Sequence, residues 1–169
     1  MNAKLDSNNV SIAGEFAVLA QLALRGYVAN MTLGRAKGID ILVANPDTGR
    51  MLKLEVKTTQ LPIARGWMMN EKHERLNDAD LFFCFVAITN VTDGSFRFFI
   101  VPSAVVTDYV KGSHAHWADQ KASRKRATSI RVFNLCQDDF VCPHCGKANG
   151  ECPVPTPTQA QYENNWQIL

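Results

Sequence analysis

The sequence lacks a long hydrophobic run: its longest apolar stretch, residues 81–88, is far shorter than the roughly 20 residues of a membrane-spanning helix. It also lacks the apolar N-terminal segment of a secretion signal, so we expect a cytoplasmic protein with no membrane partner. The net charge is only +2, which excludes a strong overall basic field, and basic residues that bind phosphates must therefore be clustered. In the cytoplasm, the five cysteines favour metal ligands or free thiols over disulfides.

The length predicts one main domain, because 169 residues can build one full core but are too few for two ordinary domains. We expect residues 1–135 to form an α/β domain and residues 136–152 to form a zinc knuckle. Residues 153–169 are expected to form an extended tail, since three prolines restrict its backbone. The apolar end of this tail is predicted to dock on the same chain or on a neighbour, as it would in a homodimer.

Two aliphatic segments, residues 38–43 and 52–57, flank a turn signal at residues 46–49. Proline, aspartate and glycine each favour turns for a separate reason, and β-branched flanks favour strands, so a hairpin is predicted. If residues 46–49 form the loop, counting outward places Asp40 opposite Glu55. Side chains alternate along a strand, so Lys57 is expected on the face of Glu55, while the apolar residues point into a core.

The charged face of this hairpin suits hydrolysis of a phosphodiester. Asp40 and Glu55, roughly 5 Å apart across the strands, repel each other unless a cation lies between them. Mg²⁺ or Mn²⁺ fits, since hard cations take carboxylate and carbonyl oxygens, and the carbonyl of Val56 can supply a further ligand. Lys57 can orient or deprotonate an attacking water, or neutralise charge on the phosphate. The alternative for this face is a set of solvated ion pairs, which contribute little.

These residues resemble the PD-(D/E)XK nuclease superfamily, which has the restriction-endonuclease-like fold. The resemblance rests on Asp40, on Glu55 and Lys57 after a hairpin-length gap, and on a preceding helix that carries Glu15. It implies that the acids bind the metal, that the lysine serves the attacking water, and that Glu15 adds a metal or water contact. Ile39 stands where the motif of the family has proline. The resemblance covers roughly the first two-thirds of the chain.

The remaining pattern predicts a mixed α/β sheet flanked by helices, consistent with that fold. Residues 81–88 are expected to form a strand buried on both faces, paired through a tight turn with residues 96–101. A helix is expected to begin near residue 103, and a last strand is expected at residues 130–135.

The N-terminal segment predicts a helix over residues 10–25, with Gly26 at its end. Glu15 is expected to border the buried stripe of this helix, within reach of the acidic face or paired with a lysine. The residues predicted to form the stripe recur at helical spacing: Ile12, Phe16, Leu19 and Ala23.

Basic residues at three places in the chain are candidates for contacts with nucleic-acid phosphates. Solvated loops and connectors are the alternative for all of them. His73 stands in a charged run and Trp67 in an irregular segment, so both are expected at the surface, and His73 is given no catalytic role. The candidate phosphate-binding residues are Arg35, Lys37, Lys72, Arg124, Lys125 and Arg126.

The spacing of cysteines near the C-terminus is typical of a zinc knuckle, in which two thiolates on a Cys-x2-Cys turn bind one ion. The predicted site is structural and takes four thiolates, and His144 could replace one of them only with a different geometry. A set of reduced thiols is the alternative. The predicted ligands are Cys136, Cys142, Cys145 and Cys152.

Two functions of different classes follow from these residues. The first is a nuclease that uses Mg²⁺ or Mn²⁺ to hydrolyse DNA. The second is a catalytically inactive nucleic-acid-binding or assembly module with the same fold. The presence of Asp40, Glu55 and Lys57 together favours the nuclease.

Overall fold

The computed structural model describes residues 3–32, 38–61, 66–120, 128–137 and 139–169. Within these ranges the helices are α1 (Ser7–Leu24), α2 (Ser103–Gln120) and the short α3 (Gln159–Tyr162), with 3₁₀ turns at Glu71–Arg75, Asn149–Glu151 and Trp166–Ile168. The strands are β1 (Val28–Met31), β2 (Ile41–Ala44), β3 (Met51–Gln60), β4 (Trp67–Asn70), β5 (Leu81–Asn90), β6 (Ser95–Pro102) and β7 (Ile130–Phe133).

One mixed sheet organises the fold, with strand order β1-β2-β3-β5-β6, and β4 pairs with β7 in a separate two-stranded sheet. β3 and β5 run parallel, whereas the other neighbours in the large sheet run antiparallel. A parallel pair needs a crossover connection. Here the crossover carries β4 and the 3₁₀ turn Glu71–Arg75, and it therefore brings that turn against β3.

The hairpin of β2 and β3 has the predicted register. Ile41 pairs with Leu54 at the end of β2, so one position further out Asp40 faces Glu55. Gly49 in the connecting turn has a φ of +68°, a conformation that glycine adopts without steric cost. The turn residues and the alternation of the strands therefore specify the same pairing, as expected for a strand with one buried face.

Apolar side chains cover the large sheet on both faces. On one face, Val18 and Leu22 of α1 pack against β2 and β3. On the other face, phenylalanines of β5 pack with α2, β4 and β7. β5 is buried along residues 81–88, which confirms the predicted central strand, since a strand covered on both sides is continuously apolar.

Helix α1 approaches the sheet through a glycine and not through its largest apolar residues. Its buried residues are Gly14, Val18 and Leu22. Ile12 and Phe16 are 50% and 59% exposed, so the predicted stripe through them is wrong. The reason is steric: without a side chain at Gly14, the helix lies directly on β3, and the face that carries this glycine becomes the buried face.

Two other predictions about the elements are corrected. Segment 66–70 is not irregular, because residues of β4 pair with β7. Trp67 is buried and donates its indole N–H to the carbonyl of Val86 at 2.8 Å, so the predicted exposure of this residue is wrong. Helix α2 begins at Ser103, where the sequence predicted a helix to start, and extends to Gln120.

The apolar end of the chain docks on the same chain. Trp166 and Leu169 are buried in the core beneath α1. The Tyr27 hydroxyl donates to the carbonyl of Trp166 at 3.2 Å, and the Asn45 side chain donates to the carbonyl of Leu169 at 3.0 Å. Among the described residues, no helix is both long and apolar enough to cross a membrane.

Candidate functional site

The Glu55 side chain is the most buried part of the charged hairpin face. It lies in the middle of β3 and is 1% exposed. Its Oε1 atom lies 2.6 Å from Lys57 Nζ and 3.0 Å from His73 Nε2. Its Oε2 atom is also buried, and it has no hydrogen-bond partner among the described residues. Among the described residues, two nitrogen atoms therefore hold one carboxylate oxygen of Glu55 and none holds the other.

His73 holds Glu55 from the 3₁₀ turn of the crossover. Its Nδ1 accepts the backbone N–H of Asn70 at 3.0 Å, and the Asn70 side chain caps the same turn. The same Nδ1 also lies 3.0 Å from the carbonyl oxygen of Asn70. Because an ionised carboxylate can only accept, His73 donates its Nε2–H to Glu55. His73 is 1% exposed, so its predicted surface position is wrong.

The sequence analysis missed His73 because a histidine among charged residues is usually solvated. One signal could have found it. Asn70 directly before the charged run is a good N-cap residue, and His73 stands three positions later, where a capping-box side chain reaches back to the N-cap N–H. A side chain held in this way points back toward the strand that precedes the turn.

Asp40 sits at the start of β2, where its backbone is bonded on both sides. Its N–H donates to the carbonyl of Leu54 at 2.8 Å, and its carbonyl accepts the N–H of Thr32 at 2.9 Å. Its Oδ2 accepts the N–H of Val56 at 2.7 Å. Asp40 is thereby fixed against β3, on the strand position that faces Glu55.

Glu15 approaches from α1. The charges of Asp40 and Lys57 both act on its carboxyl group, so it belongs to the same electrostatic group as the hairpin residues. Ser11 Oγ lies 3.5 Å from Glu15 Oε1. The charges of the four residues that the sequence analysis assigned to catalysis therefore act on one another: Asp40 and Lys57 on Glu15, Glu55 and Lys57 on Asp40, and Lys57 on Glu55.

The three acids of this group differ in pKa. Burial raises the pKa of Asp40, and the Val56 N–H and the Lys57 charge offset only part of this. Burial also raises the pKa of Glu15, and the charge of Asp40 adds to it. For Glu55, burial is outweighed by His73 and Lys57, which lower its pKa to about 2. Glu55 is therefore ionised at neutral pH, and a further cation would favour the ionised forms of Asp40 and Glu15.

Gly38 lies close to the buried Oε2 atom of Glu55. This residue has a φ of +77°, and a Cβ atom there would lie 3.1 Å from Glu55 Oε2. Lys72 lies at the rim, 48% exposed, with its Nζ 4.0 Å from Glu55 Oε1. The other predicted phosphate-binding residues lie outside the described residues: Arg35, Lys37, Arg124, Lys125 and Arg126.

A second group of side chains lies near the C-terminus and could hold a structural metal such as zinc. It comprises His116, Cys142, Cys145 and Cys152, whose ligand atoms all lie within 4.8 Å of one another. The fourth position, which the sequence analysis gave to Cys136, is taken by His116 of α2. Cys136 instead donates its thiol to the carbonyl of Thr156 at 3.3 Å.

A cavity of about 500 Å³ lies between α2, β7 and the cysteine turn. Trp117, Arg131 and His144 are among its lining residues, and no residue of the acidic group lines it within the described chain. The cavity is therefore separate from the hairpin site. The cavity adjoins the second group, because its lining residue His144 lies in the sequence between Cys142 and Cys145.

No protein-family model and no curated protein matches this chain. Among solved structures, a bacterial homing endonuclease is similar over 99% of this chain and 91% of its own length, with a TM-score of 0.48 and 15% sequence identity. The chain itself combines a mixed five-stranded sheet flanked by helices, an acidic group on the β2–β3 hairpin, and a group of three cysteines and one histidine.

Proposed function

We propose that this protein is a metal-dependent nuclease of the PD-(D/E)XK type that hydrolyses phosphodiester bonds of DNA. The observation that carries the proposal is the Oε2 atom of Glu55, a buried carboxylate oxygen without a partner among the described residues. A buried charged oxygen left unpaired costs several kcal/mol, on the order of 3, and such a group is normally completed by a ligand.

The residues around this oxygen fit a hard divalent cation. Asp40 lies on the facing strand position, and burial raises its pKa. Gly38 has no side chain that would crowd Glu55 Oε2, since a Cβ atom there would lie 3.1 Å from this oxygen. Asp40, Glu55 and the carbonyl of Val56 would hold Mg²⁺ or Mn²⁺, which prefer oxygen ligands and keep several waters. The bound ion would polarise a phosphate oxygen and lower the pKa of a coordinated water.

Lys57 is the residue proposed to act on the attacking water. Its amine contacts Glu55 Oε1 and not the unpartnered Oε2, so the proposal places the ammonium group beside the metal and not among its ligands. From there it can orient the water, help to deprotonate it, or neutralise charge that develops on the phosphate. Glu15, whose carboxyl group is under the influence of the charges of Asp40 and Lys57, is proposed to hold a second water or an outer ligand of the metal.

His73 is proposed as a positioning residue. Its Nε2–H bonds to Oε1 and fixes the rotation of the Glu55 carboxylate, so that Oε2 is the oxygen without a partner among the described residues. Because His73 is itself locked by the Asn70 N–H, the orientation of Glu55 is set before any ligand binds. Outer residues that orient a metal ligand in this way commonly change metal affinity when they are replaced.

The proposed partner is nucleic acid, and Lys72 at the rim is a candidate for a phosphate contact. The basic residues at positions 35, 37 and 124–126 are proposed as further contacts on the basis of the sequence. We favour DNA because the residues resemble a superfamily of enzymes that act mainly on DNA. The exposed ammonium of Lys72 suits a phosphate backbone better than a buried base contact.

The proposal is tested by incubating the full chain with plasmid, linear, single-stranded and branched DNA in Mg²⁺, in Mn²⁺ and with EDTA. We expect cleavage of at least one substrate with either ion and none with EDTA. Glu55→Gln should reduce cleavage by at least about 10²-fold, because it removes a charged ligand. The control is Glu163→Gln, which loses an ion pair with Arg97 away from the site and should cleave normally. DNA binding without cleavage would contradict the proposal and support the inactive module.

A further inference from the structure

We infer that His116, Cys142, Cys145 and Cys152 bind one zinc ion in a closed structural site. This site is independent of the proposed nuclease site, and it joins helix α2 to the C-terminal segment. His116 stands in the second half of α2, whereas the three cysteines come from a turn and from the residue after the 3₁₀ turn Asn149–Glu151.

The spacing of the ligand atoms fits tetrahedral coordination. Two sulfur atoms that are each about 2.3 Å from a zinc ion lie about 3.8 Å apart in a tetrahedron. The sulfur atoms of Cys145 and Cys152 are 3.8 Å apart, and Cys152 Sγ lies 3.9 Å from His116 Nε2. A disulfide between Cys145 and Cys152 needs a separation of about 2.05 Å, so the observed distance fits a shared ion better.

The turn that carries Cys142 and Cys145 is built to present both thiols to one point. The N–H of Gly146 donates to the carbonyl of Cys142 at 2.9 Å, and the N–H of Cys142 donates to the carbonyl of Lys147 at 2.9 Å. Gly146 has a φ of +70°, which glycine adopts readily. Val141 and Ala148 pair as an antiparallel bridge at the base of the turn.

The donor set determines the kind of metal and its role. Three thiolates and one imidazole are soft to borderline ligands, which favour zinc over the hard cation proposed for Asp40 and Glu55. Four protein ligands leave no open position for water or substrate, and Cys142 and Cys152 are buried. The ion would therefore stabilise the packing of α2 against residues 142–152 and take no part in hydrolysis.

Cys136 provides a matched control because it is a buried cysteine from the same segment with a different environment. The Asn149 side chain donates to its sulfur at 3.3 Å, and its thiol donates to the carbonyl of Thr156. A four-cysteine site would use Cys136 and not His116 as a ligand. The geometry described above uses His116 and not Cys136, so the two ligand sets predict opposite results for Cys136→Ser and His116→Ala.

The test measures zinc per chain in the purified full-length protein by elemental analysis, independently of any nuclease activity. We expect about one zinc in the wild type and in Cys136→Ser, and strong loss in His116→Ala and Cys142→Ser. Because His116→Ala can also loosen the fold, His116→Cys is the second variant. It should keep the ion and, after cobalt substitution, strengthen the thiolate-to-cobalt absorption band.

Three results would overturn the inference. The first is a wild-type protein without zinc after purification under reducing conditions and incubation with zinc. The second is zinc retained in His116→Ala and lost in Cys136→Ser, which would place Cys136 in the site. The third is a pair of cysteines that thiol titration finds oxidised in the zinc-treated wild type. A failure of DNA cleavage would leave the zinc content unchanged, so the two proposals fail separately.

Discussion

At the scale of single residues, the two carboxylate oxygens of Glu55 lie in different environments. Oε1 is bonded to Lys57 and His73, and these contacts keep the carboxylate ionised inside the protein. Oε2 is buried without a partner among the described residues. A carboxylate held at one oxygen has lost most of its rotational freedom, so a metal bound at the other oxygen does not have to order it. His73 is the residue that provides this order from outside the hairpin.

The first prediction concerns His73. His73→Ala should destabilise the protein by about 2–3 kcal/mol, since it removes a bonded partner of a buried charge. It should also weaken Mn²⁺ binding by about 10–100-fold, the usual effect of removing an outer residue that orients a ligand. His73→Gln, which can still donate to Glu55, should recover part of the affinity. Chemical denaturation and calorimetric titration measure the two effects, and equal affinity in His73→Ala and wild type would refute the positioning role.

The second prediction concerns the pKa of Asp40, which is raised above its usual 3.8 mainly by burial. A raised pKa means that the folded state binds the proton more tightly than the unfolded state. Ionised Asp40 therefore destabilises the metal-free protein above its folded pKa, and this penalty disappears as the pH falls below 3.8. Asp40→Asn should raise Tm by a few degrees at neutral pH without metal, because the amide oxygen can still accept the Val56 N–H.

The measurement is the difference in Tm between Asp40→Asn and wild type, in EDTA, across a pH series. The difference should shrink to zero at about pH 3, where the carboxyl group of the wild type is protonated. Saturating Mn²⁺ at neutral pH should reverse its sign, since only the wild type gains stability by binding the ion. A Tm difference that does not change with pH would show that ionisation of Asp40 is not its cause.

At the scale of elements, the contact of α1 with β3 decides where Glu15 lies. The contact depends on Gly14, because a Cβ there would lie 1.9 Å from Thr58 Oγ1 and 2.9 Å from Thr58 Cβ. Threonine is branched at Cβ and has few rotamers in a strand, so it cannot move aside easily. A side chain at position 14 would therefore push the helix, and Glu15 with it, away from β3.

The third prediction is that Gly14→Ala destabilises the protein by about 1–3 kcal/mol, the usual cost of overpacking, despite the better helix propensity of alanine. The double variant with Thr58→Ala should recover much of this loss. Thr58→Ala alone is the matched control, since the Thr58 hydroxyl is buried without a hydrogen-bond partner in the described chain. Denaturant titrations measure all three variants, and a Gly14→Ala protein as stable as the wild type would contradict the proposed contact.

The elements that the sequence predicted well are those with local determinants. The hairpin register follows from a turn whose residues need special backbone angles and from strands with one apolar face. The stripe on α1 and the strand β4 were missed because non-local contacts decide them. Gly14 reveals its role only when Thr58 lies opposite, and β4 exists only because β7, about sixty residues later, pairs with it.

At the scale of the whole molecule, two groups of ligands occupy different parts of one fold. The acidic group lies on the β2–β3 hairpin beside the crossover turn, and the cysteine group lies between α2 and the C-terminal segment. Three of the four sulfur and nitrogen ligands follow a recognisable sequence spacing. His116 has no such signal, because its partners come 26 and more residues later, and only the length and direction of α2 bring it to them. His73 differs, because its position three residues after the N-cap Asn70 was a local signal.

The most direct test of the account is a cleavage assay beside a calorimetric titration of Mn²⁺ into zinc-loaded wild type, Lys57→Ala and Asp40→Asn. Lys57 is not a metal ligand in this account, so Lys57→Ala should bind Mn²⁺ nearly as well as the wild type. Its DNA cleavage should fall by about 10²–10⁴-fold, the usual contribution of a group that acts on the proton of a nucleophile. Asp40→Asn should lose both binding and cleavage. Wild-type rates of cleavage in Lys57→Ala on every DNA substrate would contradict the mechanism.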